Sequence, residues 1–374
     1  MPTMTVAQAL ASSATGITIA DTPANIAAVV SNTALRARVN LFTFNANGAS
    51  NASDARLIAT LGSAFSTGPY RYTVRDTVAA LTASKNAAGL SIASALSVFD
   101  TLTNLLAAEH TTLMQRASSV VLSTGTSLSL SALLRLEALP AFSVLPGQNL
   151  TLADSATNLL ALTPAQNRAA IKAFQVTSNG TVTLSQANTL KAMPSFSVAN
   201  GARLTVSGDV STMTAGNNAT AISTLNALAG ITINVTDTVA RVVSSVSALT
   251  GLASRASSTS VTLTGSGTIN ATQANGLVPL VARLSATNAN ITLADTATNL
   301  LGTTGSVAAL ARATSLTSDA TVTAAHHASL TAMRGFAVAN GVHLTVSDTL
   351  AALQGLTAQQ RAAATEVVLR DTLP

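Results

Sequence analysis

The 374-residue sequence has no Cys, no Trp and two Tyr, and only 9% of it is charged. Without Cys, disulfides and thiolate metal sites are excluded. The near-absence of Trp and Tyr removes the platforms on which sugars and single-stranded nucleic acids stack. Long apolar runs are missing too: although 48% of residues are hydrophobic, no stretch of about 18 is uninterrupted, so no membrane span is expected. Met1 to Leu10 carries neither a basic segment nor a continuous apolar one, so no Sec-type signal peptide is read there. An extracellular or cell-surface location reached by a non-Sec route is expected, with the cytoplasm as the alternative. The net charge is +5, but 16 of the 19 basic residues are Arg scattered without a run. Nucleic-acid binding, which calls for clustered basic residues, is not expected.

What the sequence has in abundance is repetition. The phrase apolar-Thr-apolar-x-Asp-Thr/Ser recurs at 17–22 (ITIADT), 72–77 (YTVRDT), 96–101 (LSVFDT), 150–155 (LTLADS), 233–238 (INVTDT), 291–296 (ITLADT) and 344–349 (LTVSDT), with shortened or shifted copies ending at Asp371 and Asp209. A second phrase without Asp recurs at 128–134, 182–190, 269–277 and 322–330, with a weaker copy near Asp54. With the Asp or its equivalent as a ruler, 14 markers give about 27 residues per repeat, a solenoid period. The step from the second phrase to the next Asp phrase is 22 or 23 residues throughout, and the return step is 31 to 36. Near-identical phrases at Asp21, Asp154 and Asp295 mark super-repeats of approximately 21–153, 154–294 and a partial 295–374. The reading is one continuous α/β solenoid over 1–374, of about 14 coils with short parallel strands and a short helix each.

Local patterns fill in the coil. Residues 174–176 and 182–184 alternate with period two, as half-buried strands do. Gly-containing corners at 146–147, 178–180, 200–201 and 340–341 separate such pairs. Phe142, Phe174, Phe196 and Phe336 are expected at corners of a core of Val, Leu, Ile and Ala. After the second strand, the Asp-Thr or Ser-Gln dipeptide has helix N-cap chemistry. Short helices are expected over 156–162 and 187–193, with a further helical stretch over 164–174 and again over 357–364. Stacked strands advance about 4.8 Å per coil while a packed helix needs about 8–10 Å, which explains why long and short coils alternate.

Candidate chemistry is sparse. Nine of the 14 acidic residues lie in the Asp phrases. Helix caps explain them best; a calcium ladder through Asp154, Asp237, Asp295 and Asp348 is the weaker candidate, since hard cations need several oxygens. His326 and His327 are adjacent, do not share a helix face, and read as a solvated turn; His343 reads as a surface position. No nucleophile triad, phosphate loop or metal cluster can be assembled, and Glu109, Glu137 and Glu366 form no recognisable carboxylate pair. No catalytic residue, cofactor or enzymatic activity is expected.

The terminal segments are the candidate interface. Residues 6–11 read as a helix whose strands are missing, and 367–374 as a strand and cap whose helix is missing, so that one copy could complete another. Val6, Leu10, Ile17, Ile19, Val367, Val368, Leu369 and Leu373 are the expected contact residues. The repeated ITLADTATN and LTVSDTLAAL phrases resemble large bacterial surface proteins, in particular proteobacterial β-strand-repeat, surface-layer-like proteins exported by type I secretion. That resemblance implies a structural or adhesive role at the cell surface. The expectation is a head-to-tail homopolymer forming a filament, sheath or surface layer. An adhesin or an ice- or glycan-binding rod presenting Thr151, Thr183, Thr205, Thr292 and Thr345 is one alternative, with cell-surface glycan as a partner; an intracellular cytoskeletal filament is another.

Overall fold

A computed structural model describes residues 1–162 and 169–370. The chain is α/β, and every described strand pairing is parallel. Parallel neighbours need a long crossover between them, and here helices supply it. Such an architecture is compatible with an α/β solenoid. Contacts divide the chain into two compact units, Met1–Asp154 with Ala161–Gln175, and Ser155–Leu160 with Val176–Pro374.

In the first unit one sheet has the order Thr3–Met4, Ile17–Asp21, Val39–Phe44, Phe65–Ser66, and a second has Gly48–Ser50, Tyr72–Asp76, Ala95–Asp100, Ser119–Leu122, Ser143–Val144. Alternation dictates the faces: in ITIAD, Ile17 and Ile19 are fully buried while Thr18 and Ala20 are partly open. Register stacks like on like, so that Val74 lies beside Leu96 and Val98 beside Val120. Each such buried side chain stabilises the fold by about 1.5–3 kcal/mol. Phe44 packs at 5.1 Å from Phe65 and 4.9 Å from Tyr72, ring centre to ring centre.

In the second unit the long sheet runs Gly180–Val182, Leu204–Gly208, Ile231–Thr238, Thr259–Ile269, Leu284–Asp295, Ala313–Leu316, Phe336–Val338. A short sheet follows, Ala320–Val322, Leu344–Asp348, Glu366–Leu369. Val182, Val206 and Ile233 stand level on successive strands and are buried.

Several local expectations are corrected. The helix expected over 164–174 does not extend through its last residues: Ile171–Val176 is a strand, with Phe174 buried in it, because IKAFQV alternates with period two. Residues 163–168 lie outside the described residues. Helices of the second phrase start earlier than the Ser-Gln dipeptide: Leu184–Lys191 is capped by Thr183, with Gln186 closing a capping box. Equivalent caps are Ser129, Asn270 and Thr323. Thr183 is thus a cap and not an outward strand residue. Gly147, Gly201 and Gly341 do take positive φ (84°, 84° and 80°), whereas Gly180 does not and opens a strand. Phe142, Phe196 and Phe336 are half-buried. The helix Val6–Ala11 is preceded by a strand of its own, Thr3–Met4, so the coil it belongs to is not strandless. The helix expected over 357–364 is found as Ala358–Ala363, capped by Thr357 and Gln360.

Candidate functional site

The Asp residues form a chemically distinctive system that recurs through both units. Within Asp-Thr the helix cap is the Thr: Thr22, Thr77, Thr238, Thr296 and Thr349 each accept from the N–H three residues on. The Asp does something else. One oxygen, Oδ1, accepts the N–H of the residue that follows it, at 2.7–2.8 Å in Asp21, Asp76, Asp100, Asp237, Asp295 and Asp348. The amides of Asn25, Asn104 and Asn299 add a second donor to Oδ1 of Asp21, Asp100 and Asp295, each at 2.8 Å.

The other oxygen, Oδ2, reaches back to the helix that follows the neighbouring strand of the sheet. Asp21 accepts the N–H of Val6 at 2.8 Å, Asp76 that of Ala52 at 2.9 Å, Asp100 that of Val78 at 2.8 Å and Asp154 that of Leu130 at 2.9 Å. In the second unit Asp237 holds Val210 at 3.1 Å, Asp295 holds Ala271 at 2.9 Å and Asp348 holds Ala324 at 3.0 Å. Every one of these donors is the first residue of its helix. First-turn amides have no partner inside their own helix and carry the positive end of its dipole. Each Asp is therefore a staple: it ends one strand and satisfies the helix start belonging to the strand before it.

Electrostatics follow from these contacts. Burial pushes the Asp21 carboxyl up, but the Asn25 amide and the N–H groups of Val6 and Thr22 outweigh it and leave it below the ordinary carboxylate value. Asp100 and Asp295 show the same balance, burial opposed by three or more donors. Asp348 is lowered by the Thr349 and Ala324 amides.

The staple is missing where the next strand turns a corner at that level. Phe44, Leu122 and Leu316 stand beside Asp21, Asp100 and Asp295, and the chain leaves the sheet just after them. A second clasp operates three residues beyond the strand ends Phe44, Val176 and Leu316. Asn47, Asn179 and Asp319 each accept, at 2.7–2.8 Å, the N–H of the residue 24 positions on, Arg71, Arg203 and His343. Gly48, Gly180 and Ala320 donate back to the same residues' carbonyls at 2.9–3.1 Å.

Arginines serve the opposite helix ends. Arg38 donates to the carbonyls of Ala9, Ser12 and Ala14 around the end of the helix Val6–Ala11, and Arg135 to Leu106, the last residue of its helix, at 2.7 Å. Arg283 holds the Ser257 carbonyl at 2.6 Å. These three Arg residues thus contact carbonyl groups, while Arg241 approaches Asp237 at 3.9 Å.

Other predicted positions fall as follows. Asp154, Asp237, Asp295 and Asp348 are staples on separate strands, and among the described residues no three His, Asp or Glu side chains converge. His326 is exposed, but His327 is fully buried, with Nε2 donating to the Gln360 carbonyl at 2.7 Å. The solvated-turn reading is thereby corrected for His327; helical geometry turns it inward, level with the position that Ala187 occupies in its own helix. Among the expected contact residues, Val6, Ile17 and Ile19 are buried core side chains, and the strand Thr3–Met4 pairs alongside Ile17–Asp21. Leu10, Val367 and Leu369 are exposed by 52%, 45% and 54%, and Val368 is half-buried. Asp371 and Leu373 lie outside the described residues. No helix among the described residues is long and apolar enough to cross a membrane. Compared with known proteins, the sequence matches no family model and no curated protein.

Proposed function

We propose that the chain is a self-assembling structural protein, a continuous α/β solenoid whose copies join head to tail into a filament, sheath or surface layer. The observation that carries this reading is the strand Glu366–Leu369. It pairs with Leu344–Asp348 on one side, has no strand on its other side among the described residues, and exposes Val367 and Leu369. Thr3–Met4 likewise pairs on one side only among the described residues. Since all described pairings are parallel, Thr3–Met4 of a second copy would continue the sheet in the same sense. Open edges template such addition, and a heterologous contact that does not close gives a filament. The reading involves no catalysis. The resemblance to bacterial surface proteins supports a location outside the cell; a cytoskeletal filament would use the same joint.

Electron microscopy and sedimentation of the purified chain test it. Polymers are expected from the native sequence, and monomers from both Val367→Lys/Leu369→Lys and a variant lacking 366–374. Polymers from both variants, or a native chain that stays monomeric at high concentration, would overturn it. A glycan- or ice-binding rod is the second reading. It is supported by Thr181, Thr205 and Thr232 standing level on neighbouring strands, with 3.1 Å between the hydroxyls of the last two; isolated rods that retain glycan or ice binding would favour it.

A further inference from the structure

Five Asn residues are followed by Gly: Asn47, Asn179, Asn200, Asn275 and Asn340. The pair has its own chemistry, because a glycine nitrogen with no neighbouring side chain can attack the Asn side-chain carbonyl carbon unhindered. The fold sorts the five into two groups. Asn47 and Asn179 are clasped through Oδ1 by the Arg71 and Arg203 N–H groups, both at 2.8 Å. Their glycines are engaged as well, Gly48 N–H donating to the Arg71 carbonyl at 3.1 Å and Gly180 N–H to the Arg203 carbonyl at 3.0 Å. Asn275 lies inside the helix Ala271–Gly276 and is held at both ends of its amide, by the Thr304 N–H at 2.9 Å and the Gly302 carbonyl at 3.3 Å.

Asn200 and Asn340 differ. Both are exposed and sit in the same corner sequence, VANG. Their turns are closed around them, by Ala202 N–H to Ala199 O and Val342 N–H to Ala339 O, each 3.0 Å, so that closure uses neither the Asn side chain nor the Gly nitrogen. Gly201 and Gly341 have φ of 84° and 80°, with nothing within 4 Å of where a Cβ would stand. Exposure alone does not separate the groups, since Asn47 and Asn179 are exposed too; the clasp does.

The geometry points to Asn200 and Asn340 as sites of spontaneous modification, deamidation with isoaspartate formation. The Gly nitrogen gives up its proton and bonds to the Asn Cγ, and the side-chain nitrogen leaves as ammonia. Water then opens the succinimide at either carbonyl, leaving Asp or isoaspartate. Each event adds a negative charge, and two would lower the net charge from +5 to +3. Each isoaspartate also inserts a methylene into the backbone of a corner, between Phe196–Val198 and Leu204–Gly208 or between Phe336–Val338 and Leu344–Asp348. This does not depend on the assembly reading.

The test is to incubate the folded full-length protein in mildly alkaline buffer and follow all five sites by peptide mass spectrometry, with isoaspartyl methyltransferase labelling. Asn200 and Asn340 are expected to convert roughly ten-fold or more faster than Asn47 and Asn179, whose two hydrogen bonds must open first. In urea the five rates should converge, which assigns the difference to the fold. Asn340→Gln, which leaves the turn glycine in place, should abolish the label at that site alone. Equal rates in the folded protein, or Asn200 and Asn340 remaining intact while the urea-unfolded chain converts, would overturn the proposal.

Discussion

Removing one staple tests the reading of the Asp phrases, and Asp100 is the sharpest place to do it. Asp100 is 6% exposed and its Val78 donor 2%, so the bond between them is out of reach of water. Asp100→Ala removes the acceptor for Val78, Thr101 and the Asn104 amide together. Thr101 is exposed and can turn to solvent, whereas the Val78 N–H is left unsatisfied. A lost charge-assisted hydrogen bond and a buried orphan donor together cost about 3 kcal/mol. Asp100→Asn keeps the shape and one accepting oxygen and should cost about half as much. Hydrogen exchange read by mass spectrometry locates the damage: the Val78 amide, 22 residues upstream of the substitution, should exchange roughly ten- to a hundred-fold faster. An ordinary local cap would instead loosen only the helix Leu102–Leu106. If that helix alone loses protection and Val78 is unchanged, the staple reasoning is wrong.

Acid should dissolve the same contacts. Because Asp21, Asp100, Asp295 and Asp348 titrate below their unfolded value of about 3.9, their stabilisation is complete above roughly pH 5 and lost as the pH falls through the lowered values; the Tm by circular dichroism should be flat from neutrality down to about pH 5 and then drop, less steeply in Asp100→Asn. Gly89→Ala should destabilise by about 2–3 kcal/mol, since the new Cβ would lie 2.4 Å from the Arg56 nitrogen and 2.6 Å from the Ala55 carbonyl carbon. Helix propensity alone would make that change stabilising by up to about 1 kcal/mol, so the sign of the Tm shift decides. Gly208→Asp/Asp209→Thr with Met213→Leu should build a new staple and slow exchange of the Leu184 amide roughly ten-fold; Met213 must change because its Sδ lies 2.9 Å from the new Cβ. No slowing at Leu184 would count against transferability of the motif.

Much of the fold is legible because period-two alternation and recurring phrases are local signals. ITIAD, YTVRD and LTVSD announce strands, and all three form them with the expected faces inward. Parallel pairing follows from the repeat, since equivalent phrases separated by a helix can only stack in the same sense. Of the strand Ile171–Val176, the alternation at 174–176 is legible, whereas 171–173 read equally as the end of a helix continued from Pro164, a case where short apolar runs do not choose between periods. At His327 helix phase, and not polarity, decides which side faces inward. The Asp-Thr dipeptide was legible as capping chemistry but not as to which residue caps which helix. The Oδ2 bond joins residues 15 to 27 apart, and no local propensity carries that information.

The spacing nevertheless held the signal. A helix cap requires the Asp to stay near its own helix and sets no constraint on the distance to the previous one. The staples Val6–Asp21, Val78–Asp100 and Val210–Asp237 span 15, 22 and 27 residues, but a staple to a helix of the second phrase holds the Asp at one fixed distance beyond the helix start it serves. Measured from the first helical residue, that distance is 24 in the pairs Ala52–Asp76, Leu130–Asp154, Ala271–Asp295 and Ala324–Asp348. Among the described helices of the second phrase, Gly208 explains the irregular one: it lies two residues beyond the Val182–Val206 pair, 24 residues from Leu184, at the position where the other copies have Asp. Asp209 beside it has moved into the cap position and accepts the Thr212 N–H at 2.7 Å. The carboxylate is one residue out of place and the staple is replaced by a cap, so the two roles are set by position along the strand and not by the chemistry of the side chain.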